Sequence, residues 1–514
     1  MHPSTLLLTL SRFLLPPALI ATTYLYLYPA AHGCAFPEAR PAEAACIVPG
    51  KQKASVPSEA APFRLLALGD PQLEGDTSLP DVGEGLLESF WEARDRVLEG
   101  DWAGARETAR KDAVRVLQRY RKKLDLWGND LYLAHIYRSV SWWTQPTHTV
   151  VLGDLLGSQW IGDEEFQRRT DRFWKRVFRD AEKVPHAMTD VNSRAEVLGN
   201  DESWRKRIIA VAGNHDVGYA GDLNEYRIER FEEAYGRVNW DIRFRLESNA
   251  TSAAKASGLE SSPLDTHAPE LHLIILNSMN LDDPAHNTAL QTQSRAFIDT
   301  QLHSPDPPAS TTGTILLTHI PFHKEPGTCV DAPFFSYFPP DQGGGIREQN
   351  HLSKQVSDHI LSGLARKGRG PAVVLNGHDH EGCDTLHFRE RQAGAAGGES
   401  WDAKQYLLSA SERANGSVAG LREITVRSMM GSFHGNAGLL SAWFDREAGE
   451  WRYEYDVCML GVQHIWWAVH VLDLVVLGLG IAGIVAAVAE AVSEIRRENV
   501  DSAIPRVNGK VKKA

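Results

Sequence analysis

The chain has 514 residues, 43% of them apolar and 23% charged, which is ordinary for a globular protein and holds one large domain with additions, or two domains. A net charge of −12 argues against a general nucleic-acid binder. The five cysteines contain no Cys-x-x-Cys pair, which argues against a thiolate zinc site.

Residues 1–30 read as a signal peptide or a retained signal anchor, because Phe13 to Pro29 is apolar and follows Arg12. Residues 31–62 are rich in Ala, Pro and Glu and read as a linker. A luminal domain is expected over 63–462, opening with a strand near Arg64–Leu68. A helical insertion is expected at about 83–140. Its run of basic residues, among them Arg106, Arg110, Arg115, Arg121 and Lys123, reads first as a solvated face and second as a headgroup-facing one.

Helices are predicted over 164–179 and 224–235, and a strong strand over Leu271–Asn277. Cys329 to Gln349, rich in Pro, Phe and Gly, reads as a long loop near the site. The chain beyond Gly377 is β-rich. Two mixed sheets packed face to face, with helices outside, fit this order.

A transmembrane helix is expected at 463–490, where Leu474 to Ala489 carries no charge and Trp466 and Trp467 suit the interfacial belt. His470 and Asp473 read either as hydrated interface groups or as partner-helix contacts. Gly478, Ala482 and Ala486 make a small-residue stripe that can pack on the N-terminal span. The basic tail, 491–514, falls in the cytosol by the positive-inside rule. Within it, Lys510 and Lys512 resemble a dilysine retrieval signal of the endoplasmic reticulum, which the COPI coat reads. Two sequons, at Asn249 and Asn415, agree with a luminal domain. A Cys329–Cys383 bridge would clamp two loops of the site, free thiols being the alternative.

Five fragments in fixed order carry the chemistry. Gly69-Asp70, Gly153-Asp154, Gly213-Asn214-His215-Asp216, Thr318-His319 and Gly377-His378-Asp379-His380 each follow an apolar run. A buried strand that ends in Gly and then a polar side chain places that side chain at a sheet rim, where open α/β folds bind ligands. The collected set suits two divalent metals. One would take Asp70, Asp154 and His380; the other would take Asp154, Asn214, His319 and His378. Asp154 is the natural bridge, since one carboxylate can offer an oxygen to each ion. Mixed oxygen and imidazole donors suit Mn, Fe or Zn better than Ca. Such a pair activates water and neutralises phosphoryl charge. His215 is the candidate proton donor to a leaving alkoxide, with Asp216 as its orienter.

This set resembles the calcineurin-like metallophosphoesterase superfamily, whose pattern is D-x-H, GD-x-x-D, GNH-D/E, a His, and GH-x-H. The resemblance covers about Arg64 to Asp384 and implies a four-layer α/β/β/α sandwich with the dimetal site at the strand ends. Two departures stand out. Gln72 takes the place of the first His and offers only an amide oxygen, a weak ligand. Gly157 stands where the second acid of GD-x-x-D falls. Gly69-Asp70-Pro71-Gln72-Leu73-Glu74-Gly75, Gly153-Asp154-Leu155-Leu156-Gly157-Ser158, and Arg427-Ser428-Met429-Met430-Gly431 resemble one branch, the fungal endoplasmic-reticulum enzymes that remodel GPI anchors. That resemblance implies removal of ethanolamine phosphate from a mannose of the GPI glycan, with Mn ahead of Zn or Fe. It also implies GPI-anchored proteins as clients and p24-type receptors as partners. The alternatives are another phosphate ester as substrate, or a catalytically weak cargo quality-control protein.

Overall fold

The computed structural model describes residues 2–40, 59–79, 86–190, 193–246, 268–303, 311–329, 334–390, 400–409 and 420–503. Asn249, Asn415, Lys510, Lys512 and most of the expected linker lie outside the described residues. The chain divides into two compact units, Gly33–Val462 and the two terminal segments Met1–His32 with Gln463–Ala514.

In chain order, the strands of the large unit begin with β1 (Phe63–Leu68), β2 (His148–Val151), β3 (Glu182–Lys183), β4 (Arg194–Val197) and β5 (Arg207–Ala210). They continue with β6 (Trp240–Arg245), β7 (Glu270–Ile275), β8 (Thr312–Leu317), β9 (Phe335–Tyr337), β10 (Ile346–Gln349) and β11 (Ala372–Asn376). The last are β12 (Cys383–Glu390), β13 (Ser400–Gln405), β14 (Gly420–Thr425), β15 (Asn436–Asp445) and β16 (Glu450–Met459). One mixed sheet has the order β16-β15-β1-β2-β5-β3 and another the order β13-β12-β14-β11-β8-β7-β6-β4. Within them β1, β2 and β5 run parallel, as do β7, β8, β11 and β14.

These parallel strands are near-continuous apolar runs because both of their faces are covered; every residue of β7 and β8 is buried. The alternate side chains Leu65, Val150 and Ile209 of the first sheet and Leu273, Ile315 and Val373 of the second join one apolar core. Between β1 and β2 lie the helices Leu86–Leu98 and Trp102–Thr144. The longer begins at Asp101, whose carboxylate accepts the Gly104 N–H at 2.9 Å, and ends where Gln145 turns left-handed.

The segment expected as a long loop contains a hairpin, β9 paired antiparallel with β10. Phe335 and Tyr337 supply strand-forming side chains there, while Gly343 and Gly344 supply the positive φ of the turn, which the Gly-rich composition concealed. Two disulfides form, Cys329–Cys383 and Cys34–Cys458.

In the terminal unit, Pro3–Tyr26 and Gln463–Arg497 are long and apolar enough to cross a membrane. Their polar side chains meet in pairs. Thr22 donates to Asp473, Ser4 to Glu490, and Ser11 to the Val476 carbonyl, and Tyr26 lies 3.1 Å from His470. His470 and Asp473 are thus contacts between the two helices, as apolar surroundings require of polar groups. The close approach uses Gly480 and Gly483, where an added Cβ would meet Ser11 and Leu8, and leaves Gly478 in open space. The packing side therefore lies next to the expected Gly478 stripe, since the polar pairs set the rotation of the helix.

Candidate metal centre

The C-terminal ends of β1, β2 and β5 in one sheet, and of β8 and β11 in the other, deliver the motif residues to one place. Atoms of Asp154, His319 and His378 lie within 4.8 Å of one another, and so do atoms of Asp70, Asp154 and His380. Asp154 belongs to both groups. Asn214 Oδ1 lies 3.1 Å from His319 Nε2.

The loops reach this geometry through an unusual backbone. Asp70, Gln72, Asp154 and His378 all have positive φ, between 42° and 73°, which is uncommon for non-glycine residues. Two of the preceding glycines are required by contact. A Cβ on Gly153 would sit 2.1 Å from His319 Nδ1, and one on Gly213 would sit 2.2 Å from the Asp154 nitrogen.

Two of the imidazoles are each held by a backbone carbonyl. His319 Nδ1–H donates to the Leu152 carbonyl at 2.7 Å, and His378 Nε2–H donates to the Gln349 carbonyl at 3.0 Å. The opposite nitrogens then carry lone pairs. His378 Nδ1 is buried with no hydrogen-bond partner. His319 Nε2 faces Asn214 Oδ1 at 3.1 Å and Asp154 Oδ1 at 3.4 Å. Lone pairs that converge in a buried space, with no proton between them, match the needs of a cation, and the donor set fits divalent metals.

The electrostatics agree. Burial, with Asp154 beside it, pushes the Asp70 carboxyl well above the usual range. Burial works the same way on Asp154, but His215, His319 and His378 outweigh it and hold that carboxyl low. Burial, and secondarily His319, pushes His378 down to about 3. Burial lowers His319 against the pull of Asp154. Neutral imidazoles are the form that binds metal.

The remaining motif residues take distinct places. His215 is partly exposed; its backbone N–H donates to Asp154 Oδ1 at 2.9 Å and its Nε2 lies 3.8 Å from Asp154 Oδ2. Asp216 is buried and accepts the backbone N–H groups of Gly213, Leu156 and Leu155 at 2.9, 3.0 and 3.2 Å. Its carboxylate thus ties the loop after β2 to the loop after β5, while the carboxylate beside the His215 ring is that of Asp154. Gln72 presents its amide nitrogen to Asp154 Oδ2 at 3.0 Å and to His380 Nε2 at 3.2 Å.

Sequence reasoning missed the Gln349 carbonyl that fixes His378, because a backbone carbonyl leaves no mark on residue type. It also missed Ser428, whose hydroxyl donates to the Asp70 carbonyl at 3.1 Å. Beside His215 opens a cleft of about 730 Å³ whose lining includes Trp160, Tyr219, Phe334, Phe338 and Arg347.

No family model matches the chain. Protein TED1 of Saccharomyces cerevisiae is 31% identical over 69% of this chain and 77% of its own length. An uncharacterized protein of Schizosaccharomyces pombe is 27% identical over 68% of this chain and 79% of its own. Metallophosphoesterase 1 of Mus musculus is 23% identical over 51% and 57%. With the five strand-end motifs gathered into one donor set, these relatives place the chain among the metal-dependent phosphoesterases: it belongs to the calcineurin-like metallophosphoesterase superfamily, in the branch that holds Protein TED1.

Proposed function

We propose that the protein is a membrane-anchored phosphodiesterase of the endoplasmic reticulum that removes ethanolamine phosphate from a mannose of GPI anchors and so supports export of GPI-anchored proteins. The observation that carries a hydrolytic reading is the convergence of His319 Nε2, Asn214 Oδ1 and Asp154 Oδ1 beside the Asp70–Asp154–His380 group. The GPI substrate comes from the resemblance of the Gly69–Gly75, Gly153–Ser158 and Arg427–Gly431 segments to that branch.

In this reading Asp70, Asp154 and His380 would hold one divalent ion, with Gln72 as a weak fourth donor once its amide turns its oxygen inward, and Asp154, Asn214, His319 and His378 would hold the other, Mn ahead of Zn or Fe. The ions, when bound, neutralise phosphoryl charge and acidify water. The chain's own residues do the rest. The fixed tautomers of His319 and His378 keep their lone pairs aimed into the site. His215, at the cleft wall, gives a proton to the sugar oxygen as the P–O bond breaks, so the alcohol leaves neutral. Asp216 acts through position, by holding the loops that carry Asp154 and Asn214. Trp160, Phe334 and Phe338 supply flat apolar walls on which sugar rings can stack, and Arg347 supplies a cation for the phosphate.

The strand order and shared core support a four-layer α/β/β/α arrangement with the site at the strand ends. The two apolar terminal helices support membrane anchoring, and the basic residues after the second span support a luminal catalytic domain with a cytosolic tail. Lys510 and Lys512 would then be read by the COPI coat, and p24-type receptors would be the cargo partners. A second reading, a cargo-binding protein with weak catalysis, draws on the Gln72 amide that lies where the superfamily carries an imidazole.

Mass spectrometry of GPI glycans from cells lacking the protein tests the assignment. An extra ethanolamine phosphate on a mannose is expected. Unchanged glycans with normal cargo export would point to another phosphate ester, and unchanged glycans with impaired export to the cargo-binding reading.

A further inference from the structure

The helix Trp102–Thr144 carries a surface that the metal centre does not use. Between residues 102 and 127 it holds eight Lys or Arg against three Asp or Glu, in a chain of net charge −12. Ala113, Leu117, Tyr120, Leu124 and Trp127 recur at intervals of four, three, four and three, so they form one stripe. Trp102 lies 18 residues, or about five turns, before Tyr120 and joins the same stripe. Its large members are not covered: Trp102, Leu117, Tyr120, Leu124 and Trp127 are 46–70% exposed. Arg110 and Arg121 border the stripe on one side and Lys123 on the other, and Arg106 falls within it.

The far end of the helix is bonded to both segments that lead into the candidate spans. The Trp143 indole donates to the Cys34 carbonyl at 2.9 Å, and the Tyr132 hydroxyl donates to the Gly461 carbonyl at 2.6 Å. The Cys34–Cys458 disulfide ties those two segments together. Gly461 precedes the span that starts at Gln463 by two residues, at most about 7 Å of chain.

We propose that this stripe rests in the headgroup layer of the bilayer that holds the chain's own spans, with its basic flanks paired to anionic lipid headgroups. Trp, Tyr and Leu between long cationic side chains is the composition of an interfacial helix, since the apolar stems lie in the acyl boundary while the charges reach the headgroups. A soluble protein partner would cover the stripe equally well. It would not account for the excess of positive charge together with the attachment of this helix to both segments at the membrane-proximal ends of the domain. The docked helix would also border the site, because Lys122 pairs with Glu74 at 2.8 Å, two residues from Gln72.

The full chain tests this in reconstituted vesicles. In a Cys46→Ser background, Leu117→Cys carries an environment-sensitive nitrobenzoxadiazole label, and Glu229→Cys, on the helix Glu225–Tyr235, carries the control label. In phosphatidylcholine vesicles containing phosphatidylserine, doxyl groups near the headgroup should quench the label at 117 at least about threefold more than the label at 229. The combined Arg106→Glu, Arg110→Glu and Arg121→Glu variant should bring quenching at 117 back to the control level while retaining bound metal. Where that variant loses metal, about 1 M salt on the parent chain should give the same reversal by screening. Equal quenching at 117 and 229, or quenching that neither charge reversal nor salt changes, would overturn the proposal. So would a label at 117 that is blue-shifted in native membranes yet shielded from lipid-borne quencher, which would assign the stripe to a protein partner.

Discussion

Lys324→Met is the sharpest test of how the site is held from behind. Lys324 is 1% exposed and its Nζ lies 2.8 Å from Glu423 Oε2, itself fully buried. The same oxygen lies 2.6 Å from His387 Nε2. The other oxygen accepts the Phe322 N–H at 2.7 Å and the Asn376 amide at 2.6 Å. Phe322 is three residues past His319, and Asn376 is two before His378, so Glu423 fastens both imidazole-bearing loops to β14. Removing the ammonium leaves a buried carboxylate short of a cation, which costs about 3–5 kcal/mol in comparable pairs.

The midpoint of urea unfolding of the full chain in detergent should fall accordingly. Glu423→Gln added to Lys324→Met should restore part of the loss, since it removes the stranded charge and keeps an oxygen for Phe322. The pH dependence has a definite sign. Burial works to raise Glu423, but Lys324 and His387 outweigh it and hold its carboxyl below the usual range. A depressed folded value means the stability is present above the unfolded value of about 4.3 and lost as pH falls through the folded one. In Lys324→Met the folded value of Glu423 should rise toward or past the unfolded one, so the acid-driven loss that this group contributes should shrink. A single variant within about 0.5 kcal/mol of the parent, or a double variant whose cost is the sum of the two singles, would refute the coupling.

Asp154→Asn should abolish turnover and lower bound metal, read by elemental analysis, because it removes the one carboxylate common to both donor groups. His215→Ala should leave metal content intact and slow cleavage by about 10²–10⁴-fold, with a smaller loss on a nitrophenyl phosphodiester whose leaving group needs no proton. Gly153→Ala should cost at least about 1–3 kcal/mol, because its φ is positive and the new Cβ meets the His319 ring. It should lose metal as well, so full metal content in that variant would show that His319 can move without consequence.

The centre was legible because its code is local. A buried strand followed by Gly, or in one case Thr, and a polar residue is written in consecutive letters, and five such strings in order point to Asp70, Asp154, Asn214, His319, His378 and His380, which the fold brings close together. What was not legible depends on distant partners. Cys34 and Cys458 are 424 residues apart, and nothing near either one marks the other. Gly480 and Gly483 face the N-terminal helix because Asp473 and Glu490 find Thr22 and Ser4, a rotation that small-residue spacing alone leaves open. Asp216 read as an orienter of its neighbour His215, but short turns send adjacent side chains apart, and its carboxylate points back to the amides of another loop. Nothing in the sequence marks Lys324 and Glu423 as a buried pair, because burial of an ion pair is decided by which strands meet.

Gln72 ties the strain of the site to its chemistry. Positive φ at Asp70, Gln72, Asp154 and His378 disfavours these loops, and two buried carboxylates repel each other across the same space. Something positive must offset both. At the donor set of Asp154, Asn214, His319 and His378, His378 Nδ1 has no hydrogen-bond partner and His319 Nε2 faces two oxygens, an arrangement that suits a cation. At the set of Asp70, Asp154 and His380, the Gln72 amide already donates to Asp154 Oδ2, which meets part of that demand with a neutral group. An imidazole in its place would present a lone pair to a metal and make the ion indispensable. With Gln72 there, the first donor set should lose its ion on dialysis more readily than the second, and a Gln72→His variant that leaves both affinities unchanged would refute a contact between Gln72 and that ion.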